Sequence, residues 1–248
     1  MPLEKRPNQP HERAVNKALT QGSPEWFASR KGKLTASRIG EIMPGKRGAY
    51  SVKREQLSDE MFDEILGEDV EAKDITYTLQ QAFDWGNNTE PKARFAYQLE
   101  TGKLVREVGL FDHPNENFPY RHLAASPDGV LVMDPIGLEI KCPWGRKNHD
   151  KLLELVVQGV PTEDPGYIAR ISEDYRWQMF LQMECVELES VDFVSFDPRR
   201  HEREQIIVIP FQRDQELIDK MYEEAEKFLM ELHQRVQQRQ EFRNGTKI

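Results

Sequence analysis

Apolar residues recur at helical intervals in the N-terminal half of the chain and again at its C-terminal end. Residues 53–66 place their apolar side chains three and four positions apart, which predicts an amphipathic helix. Residues 79–99 have the same character, but Gly86 and Pro91 interrupt them, so we expect a break or a kink there. Gly102 is a suitable residue to end this helix.

The middle of the chain changes to short apolar runs between turn residues, which are typical of strands. We expect strands at residues 105–111, 129–133, 137–142, 191–196 and 205–211. Helices are predicted at 151–158, from the capping residue Ser172 to about 186, and from 215 onward as a long amphipathic helix. This order of elements predicts an α/β (α+β) fold with a central mixed β-sheet flanked by helices.

Residues 1–22 are polar and contain proline, so we expect a flexible N-terminal arm before a single domain at 23–248. No apolar run approaches the roughly 20 residues that cross a bilayer, and the N-terminus resembles no secretory signal. The two cysteines, Cys142 and Cys185, lie in no metal-binding spacing. These features predict a protein of a reducing cytosol.

The net charge of −9 argues against a protein that coats nucleic acid without specificity. It remains compatible with an enzyme that holds DNA in a local basic channel. Such an enzyme also needs carboxylates for a metal ion, and these make the total charge more negative.

One segment carries a candidate reaction centre. Residues two apart on a strand share a face, so Glu139 and Lys141 project together while Ile140 points to the other side. A hairpin between 129–133 and 137–142 would return Asp128 beside them. Two carboxylates, with the backbone carbonyl of Ile140, offer the oxygen ligands that Mg²⁺ prefers, and the lysine can stabilise charge or act on the attacking water. Taken alone, a Glu-x-Lys triplet is more typical of an ordinary solvent-side pair on an antiparallel sheet. With Pro127-Asp128 before it at hairpin spacing, the two interpretations have equal weight.

The spacing Asp128-x10-Glu139-x-Lys141 resembles the PD-(D/E)xK nuclease signature. Further blocks narrow the resemblance to the lambda exonuclease family, the YqaJ-like phage recombination nucleases. In order along the chain they are 26–37 (WFASRKGKLTAS), Trp85-Gly86-x3-Glu90 followed by Ala93-Arg94, and Gln178 followed by the strand ending in Phe196-Asp197-Pro198. Together they span about residues 24–211. The resemblance implies a restriction-endonuclease-like core.

The resemblance adds two residues to the reaction centre. It implies that Glu90 joins Asp128, Glu139 and the Ile140 carbonyl at the metal, and that Gln178 positions the attacking water or a metal-bound ligand. The alternatives are a favourable helix-terminal charge for Glu90 and a plain helix-surface residue for Gln178. The family often has a second glutamine two residues further on.

This chain departs from that pattern. It has Phe180 at the position of the second glutamine, and its next glutamine is Gln182. Asp112 lies where the family can carry another acidic residue. The roles of Gln182 and Asp112 stay open.

The resemblance also implies a pocket for a terminal 5′-phosphate, formed by Arg30, Thr35, Ser37 and Ser126. The chemistry agrees, because arginine offers a charge-assisted fork to phosphate and hydroxyls add donors. The alternative is that Thr35 or Ser37 merely caps a helix that starts near Ala36, with Arg30 a surface charge.

Five further residues are candidate DNA contacts: Lys46, Arg47, Arg146, Lys147 and Phe83. The four cations have solvated surface charge as their alternative. Phe83 corresponds to an apolar wedge in the family, but its spacing favours the helix core slightly.

The resemblance implies a Mg²⁺-dependent exonuclease, with two ions and with Mn²⁺ able to substitute. It would digest the 5′ strand of linear double-stranded DNA, release 5′-mononucleotides and leave a 3′ overhang. A ring-shaped homotrimer and a single-strand annealing protein as partner are also implied. The alternatives are an endonuclease or non-processive repair nuclease of the same fold, and a non-catalytic scaffold that binds DNA ends.

Overall fold

The computed structural model describes residues 21–45, 47–68 and 76–245. Its helices are α1 (Pro24–Arg30), α2 (Ile39–Ile42), α3 (Val52–Leu66), α4 (Tyr77–Thr101), α5 (Lys147–Val157), α6 (Pro165–Arg170), α7 (Glu173–Val186) and α8 (Gln215–Arg243). Its strands are β1 (Leu34–Thr35), β2 (Val105–Arg106), β3 (Phe111–Asp112), β4 (Leu123–Ala125), β5 (Gly129–Leu131), β6 (Ile136–Lys141), β7 (Ser190–Phe196) and β8 (Ile206–Gln212).

The larger sheet has the order β2-β5-β6-β7-β8, and only the β6–β7 pair in it is parallel. A smaller sheet has the order β1-β4-β3. Helices pack on the larger sheet from both sides, so the predicted mixed α/β class is confirmed. The sequence pattern had indicated one sheet, and the additional small sheet is made of strands only two or three residues long.

The two faces of β6 meet different partners. Leu138 and Ile140 pack with Ala93 and Tyr97 of α4 in one apolar cluster. The alternate residues, Glu139 and Lys141, therefore point to the opposite side of the sheet. That side faces α7, which contributes many of its side chains to the main core.

The predicted hairpin is confirmed. Strands β5 and β6 are antiparallel, with Gly129 opposite Leu138 and Val130 opposite Gly137. Both glycines allow close packing, because a Cβ at Gly129 would lie 2.4 Å from Cγ1 of Val105. A Cβ at Gly137 would lie 2.6 Å from Cδ1 of Leu188. The hairpin places Asp128 at its open end, beside the second half of β6.

Several local predictions are wrong. Helix α4 is continuous through Gly86 and Pro91, so the expected break is absent and only the alternative of a kink stays a prediction; its buried residues, among them Ala93 and Tyr97, hold it on the sheet. The stretch 105–111 is not one strand, since β2 and β3 belong to different sheets. Thr35 lies on β1 and α2 begins only at Ile39, so neither Thr35 nor Ser37 caps that helix.

The predicted N-terminal arm lies outside the described residues except for positions 21 and 22, so the division into an arm and a single domain stays a prediction. Ser172 does occupy the position before α7, although its hydroxyl makes no capping bond. Among the described helices, none is both long enough and apolar enough to cross a membrane.

Candidate active site

The structure brings Asp128, Glu139 and Lys141 together at the open end of the β5–β6 hairpin. The Oδ2 atom of Asp128 accepts a hydrogen bond from the Ile140 N–H at 2.6 Å, and the Asp128 N–H donates to the Leu138 carbonyl at 3.0 Å. The Nζ atom of Lys141 forms an ion pair with Glu139. Backbone bonds thus hold Asp128 beside the strand that carries the other two residues.

Glu139 is fully buried, and two glutamine amides of α7 hold its carboxylate. Gln178 donates to Oε1 at 2.8 Å and Gln182 donates to Oε2 at 2.5 Å. The two glutamines are one helical turn apart and therefore face the same side. The structure thereby gives Gln182 a place in the site that sequence reasoning left open. The four-residue spacing from Gln178 was the signal that could have revealed it.

The carboxylates crowd one another. Burial raises the pKa of Asp128 well above its usual range, and the negative charges of Glu139 and Glu90 act in the same direction. Burial alone would lower the pKa of Lys141, but Glu139 and Asp128 outweigh it and raise that pKa. Lys141 is therefore a stable cation, which suits charge stabilisation better than proton abstraction.

Glu90 reaches the centre through Arg94, four residues later on α4. Arg94 bonds Glu90 at 2.6 Å, Glu107 at 2.6 Å and the Asp128 carbonyl at 3.2 Å. Burial raises the pKa of Glu90, and Arg94 opposes this effect. The structure places Glu90 beside the cluster but bonded to Arg94, so its role as a metal ligand stays a prediction. Arg94 is an organising residue to which the sequence analysis assigned no role.

The site has donors of the type that Mg²⁺ prefers. In the described part of the chain, no three His, Cys, Asp or Glu side chains already form a metal-binding group. Asp128 and Glu139 nevertheless present oxygens side by side. The Ile140 N–H points toward Asp128, and in an extended strand the carbonyl of the same residue points to the same side. A divalent cation would stabilise these two close side chains, of which Asp128 has a raised pKa.

The four residues predicted to form a phosphate pocket lie close together, and phosphate binding there stays a prediction. The Arg30 guanidinium donates to Thr35 Oγ1 at 3.2 Å and to Ser37 Oγ at 3.1 Å, and it lies 4.2 Å from the Trp26 ring. The indole N–H of Trp26 donates to Ser126 Oγ at 3.0 Å. All four predicted residues are thus linked, and Trp26 connects them to the loop that carries Asp128.

The charge of Arg30 has no acidic partner within ion-pair distance among the described residues. Burial and the neighbouring Arg38 lower the pKa of Arg30, although an arginine stays protonated. A half-buried guanidinium that has two hydroxyls beside it and no ion-pair partner is a favourable site for an anion.

Other predicted residues lie apart from this cluster or outside the description. Asp112 forms an ion pair with Lys33 on the small sheet and does not join Asp128. Phe83 is 50% exposed, so the core interpretation is wrong and the wedge alternative stays a prediction. Arg146 and Lys147 are exposed at the start of α5, and Arg47 is exposed as well. Lys46 lies outside the described residues.

The buried carboxylate of Asp197 fixes the position of the loop after Lys141 through Arg199. Asp197 accepts bonds from the Arg199 side chain at 2.7 Å and 2.9 Å, and Arg199 donates to the Trp144 carbonyl at 3.0 Å. The guanidinium also lies 4.4 Å from the Trp85 ring, which packs edge-on against Trp144. Asp197 and Trp85 come from two of the sequence blocks, and their role here is to hold the rim of the site.

The sequence model of one protein family, the YqaJ-like viral recombinase domain, matches residues 25–189 of this chain. These residues include all of the site residues above except Asp197 and Arg199. The chain belongs to this family. No curated protein matches it by sequence.

Solved structures agree with the family assignment. An alkaline exonuclease, LHK-Exo from Laribacter hongkongensis, is 31% identical, with a TM-score of 0.70 over 91% of this chain and 100% of the other. Its complex with dAMP matches over the same shares with a TM-score of 0.69. A phage-related exonuclease from Haemophilus somnus 129PT shares the fold at 18% identity, with a TM-score of 0.56 over 82% of this chain and 96% of the other.

The family match and the similarity to an alkaline exonuclease together support a DNA exonuclease that acts in recombination.

Proposed function

We propose that the chain is a Mg²⁺-dependent exonuclease that degrades the 5′ strand of linear duplex DNA and leaves a 3′ overhang. The observation that carries this proposal is the assembled pocket of Arg30, Thr35, Ser37 and Ser126, which lies next to the reaction centre. Ser126 is only two residues from Asp128, so a terminal phosphate in the pocket would bring the next phosphate of the strand to the reaction centre.

Cleavage at that next phosphate has a defined outcome. Water attacks phosphorus, the bond from phosphorus to the 3′ oxygen breaks, and that oxygen takes a proton. The first nucleotide leaves with its 5′-phosphate and a new 3′-hydroxyl. The shortened strand again ends in a 5′-phosphate, so it can enter the Arg30 pocket for the next cycle. This recurrence supports repeated removal of 5′-mononucleotides.

The proposed roles follow from the contacts. Asp128, Glu139, the Ile140 carbonyl and Glu90 would hold Mg²⁺, with two ions as the expected number and Mn²⁺ as a substitute. A bound ion polarises the phosphoryl group and lowers the pKa of water. Lys141 remains charged and stabilises negative charge at the phosphoryl oxygen. Gln178 and Gln182 keep Glu139 in one orientation.

The proposed partners follow from family membership. We propose a homotrimeric ring around DNA, a single-strand annealing protein that receives the overhang, and action in the bacterial or phage-infected host cytoplasm. Arg47, Arg146, Lys147 and Lys46 are proposed contacts to the DNA backbone, and the exposed Phe83 is proposed as a wedge between strands.

Digestion of labelled DNA in Mg²⁺ tests the proposal. We expect mononucleotides from a 5′-phosphorylated linear duplex, slower release from a 5′-hydroxyl duplex, and none from closed circles. Asp128→Ala should abolish release. Arg30→Gln should remove the preference for the 5′-phosphate while the protein stays folded, as judged by its melting temperature.

Two results would contradict it. Cleavage of closed circles would favour the endonuclease alternative. Equal release by the wild type and by Lys141→Ala would indicate a contaminating nuclease and favour the non-catalytic scaffold.

A further inference from the structure

A second cavity of about 500 Å³ opens beside Lys141. Its walls come from the end of β6, from α5, from the junction of α6 with α7, and from β7. None of the residues of the Arg30 pocket lines it. Because Lys141 lines this cavity and also contacts Glu139, any occupant lies directly next to the reaction centre.

The charged side chains that line this cavity are all cationic. They are Lys141, Lys151 and Arg170, and no carboxylate lines it. Lys151 forms no ion pair with any residue that the structure describes. Arg170 is 4.0 Å from Glu154, at the limit of an ion pair, and the side chain of Glu154 is mostly exposed. Two cations are therefore available to an anionic ligand.

The remaining lining fits the rest of a nucleotide. Asn148 offers an amide, and Ser172 offers a hydroxyl that makes no capping bond to α7. The rings of Tyr175 and Phe193, 6.1 Å apart, provide an apolar wall suited to a sugar or the edge of a base. The volume of the cavity, its cationic side chains and its apolar wall together match one phosphate with part of a nucleoside.

We propose that this cavity binds the second nucleotide of the degraded strand, with Lys151 and Arg170 on the phosphate between the second and third nucleotides. This inference rests on the proposed function. If the first nucleotide occupies the Arg30 pocket and the scissile phosphate lies at Asp128 and Glu139, the strand continues past Lys141 on its 3′ side. The cavity beside Lys141 has the lining required there and shares no residue with the 5′ pocket.

The test measures binding without cleavage. The affinity for a 5′-phosphorylated duplex is measured in EDTA for three proteins. They are the wild type, the double variant Lys151→Ala/Arg170→Ala, and the control Lys220→Ala on the exposed side of α8. Each duplex carries one neutral methylphosphonate at a chosen position of the strand. In the wild type and the control, neutralising the phosphate between nucleotides two and three should weaken binding about tenfold.

In the Lys151→Ala/Arg170→Ala variant, a methylphosphonate between nucleotides two and three should weaken binding little further. A methylphosphonate at another position should weaken binding as much as it does in the wild type. The dependence of log affinity on log salt should also become shallower by about 0.7 in the variant. The proposal is overturned if the variant keeps full sensitivity at this phosphate. It is also overturned if the variant loses affinity for free dAMP but not for the duplex, which would make the cavity a product site.

Failure of this inference can be told apart from failure of the proposed function. The binding series needs no hydrolysis, whereas polarity and product come from the digestion of labelled DNA in Mg²⁺. If the double variant stays sensitive to the phosphate between nucleotides two and three while digestion still proceeds from the 5′ end, only the cavity assignment is overturned.

Discussion

Glu139 shows what single residues contribute to this site. Its carboxylate is removed from solvent and would be costly to bury without partners, yet Gln178, Gln182 and Lys141 all contact it. The other amide atom of Gln182, Oε1, is buried without a hydrogen-bond partner. The bond from the Gln182 amide to Glu139 indicates that this side chain orients the carboxylate.

Replacing Gln182 by leucine should therefore weaken metal binding without unfolding the protein. Leucine keeps the apolar bulk and removes the donor to Glu139, so we expect Mg²⁺ affinity to fall about tenfold. Calorimetric titration of Mg²⁺ measures this directly, with Gln212→Leu at an exposed position as the control. Unchanged Mg²⁺ affinity in a folded Gln182→Leu protein would show that the amide does not position Glu139.

The environment of His113 predicts that stability depends on pH. Its Nδ1 accepts from the Asn115 N–H at 3.1 Å, so Nε2 carries the hydrogen and bonds the Tyr222 hydroxyl at 2.8 Å. Burial lowers the pKa of His113, while the charges of Glu184 and Glu187 oppose this effect. Below the ordinary histidine pKa of about 6.5, the unfolded chain therefore binds more protons than the folded one.

The free energy of unfolding should consequently decrease as the pH falls through about 6.5. His113→Gln should reduce this decrease, although it also removes hydrogen bonds worth about 1 kcal/mol each. Part of the pH dependence should persist, because burial lowers the pKa of His122 too. Urea titrations at pH 7.5 and pH 5.5 measure the change, and an identical decrease in both proteins would contradict the assignment to His113.

At the level of elements, a close contact with α2 holds α7, the helix that carries Gln178 and Gln182. A Cβ at Gly40 would lie 2.7 Å from Oδ1 and 2.9 Å from Cα of Asp174. The backbone of α7 cannot move aside without shifting Gln178 and Gln182, which lie further along the same helix. The absence of a side chain at Gly40 thus sets how closely α7 approaches the rest of the core.

Gly40→Ala should destabilise the protein by about 1–3 kcal/mol, because the contact is already tight. Gly86→Ala is the matched comparison, since nothing lies within 4 Å of a Cβ there and alanine favours α4 by about 0.5–1 kcal/mol. Thermal or urea unfolding gives both values. If both variants are equally stable, the contact at Gly40 is looser than its geometry indicates.

Helix α4 also shows where local sequence rules fail. Gly86 and Pro91 predict a break because both are poor helix residues, and proline lacks an N–H donor. The helix continues because its buried face packs on the sheet and because Thr76 and Gly102 cap its two ends. Packing of a 25-residue helix outweighed two unfavourable residues.

At the scale of the whole molecule, the net charge of −9 conceals locally cationic cavities. Arg30 stands in one, and Lys141, Lys151 and Arg170 line another. Carboxylates elsewhere make the total negative, so DNA binding depends on where the cations are and not on their number. A ring of several copies would place such cavities around one duplex.

The proposed homotrimer predicts a mass of about 87 kDa in solution, three times the 29.0 kDa of one chain. Large apolar side chains such as Phe95 and Leu99 are exposed on α4, which is compatible with contacts between copies. Sedimentation equilibrium over a range of concentrations measures the mass. A single 29.0 kDa species at every concentration would contradict the trimer and leave the single-chain site unaffected.

The sequence by itself determined the chemical types and the local faces of the site. The period of two along a strand places Glu139 and Lys141 on one side, and the short turn before β6 returns Asp128, because both effects act over a few residues. The order of the motif blocks indicated the family, and the family model confirms it.

Tertiary structure decided which distant residues meet. Gln182 contacts Glu139 across 43 positions of the chain, and Trp26 contacts Ser126 across 100. Lys151 and Arg170 line one cavity only because α5 and α6 pack beside the end of β6. No local periodicity encodes such distances, since they depend on how all the elements fill a common core.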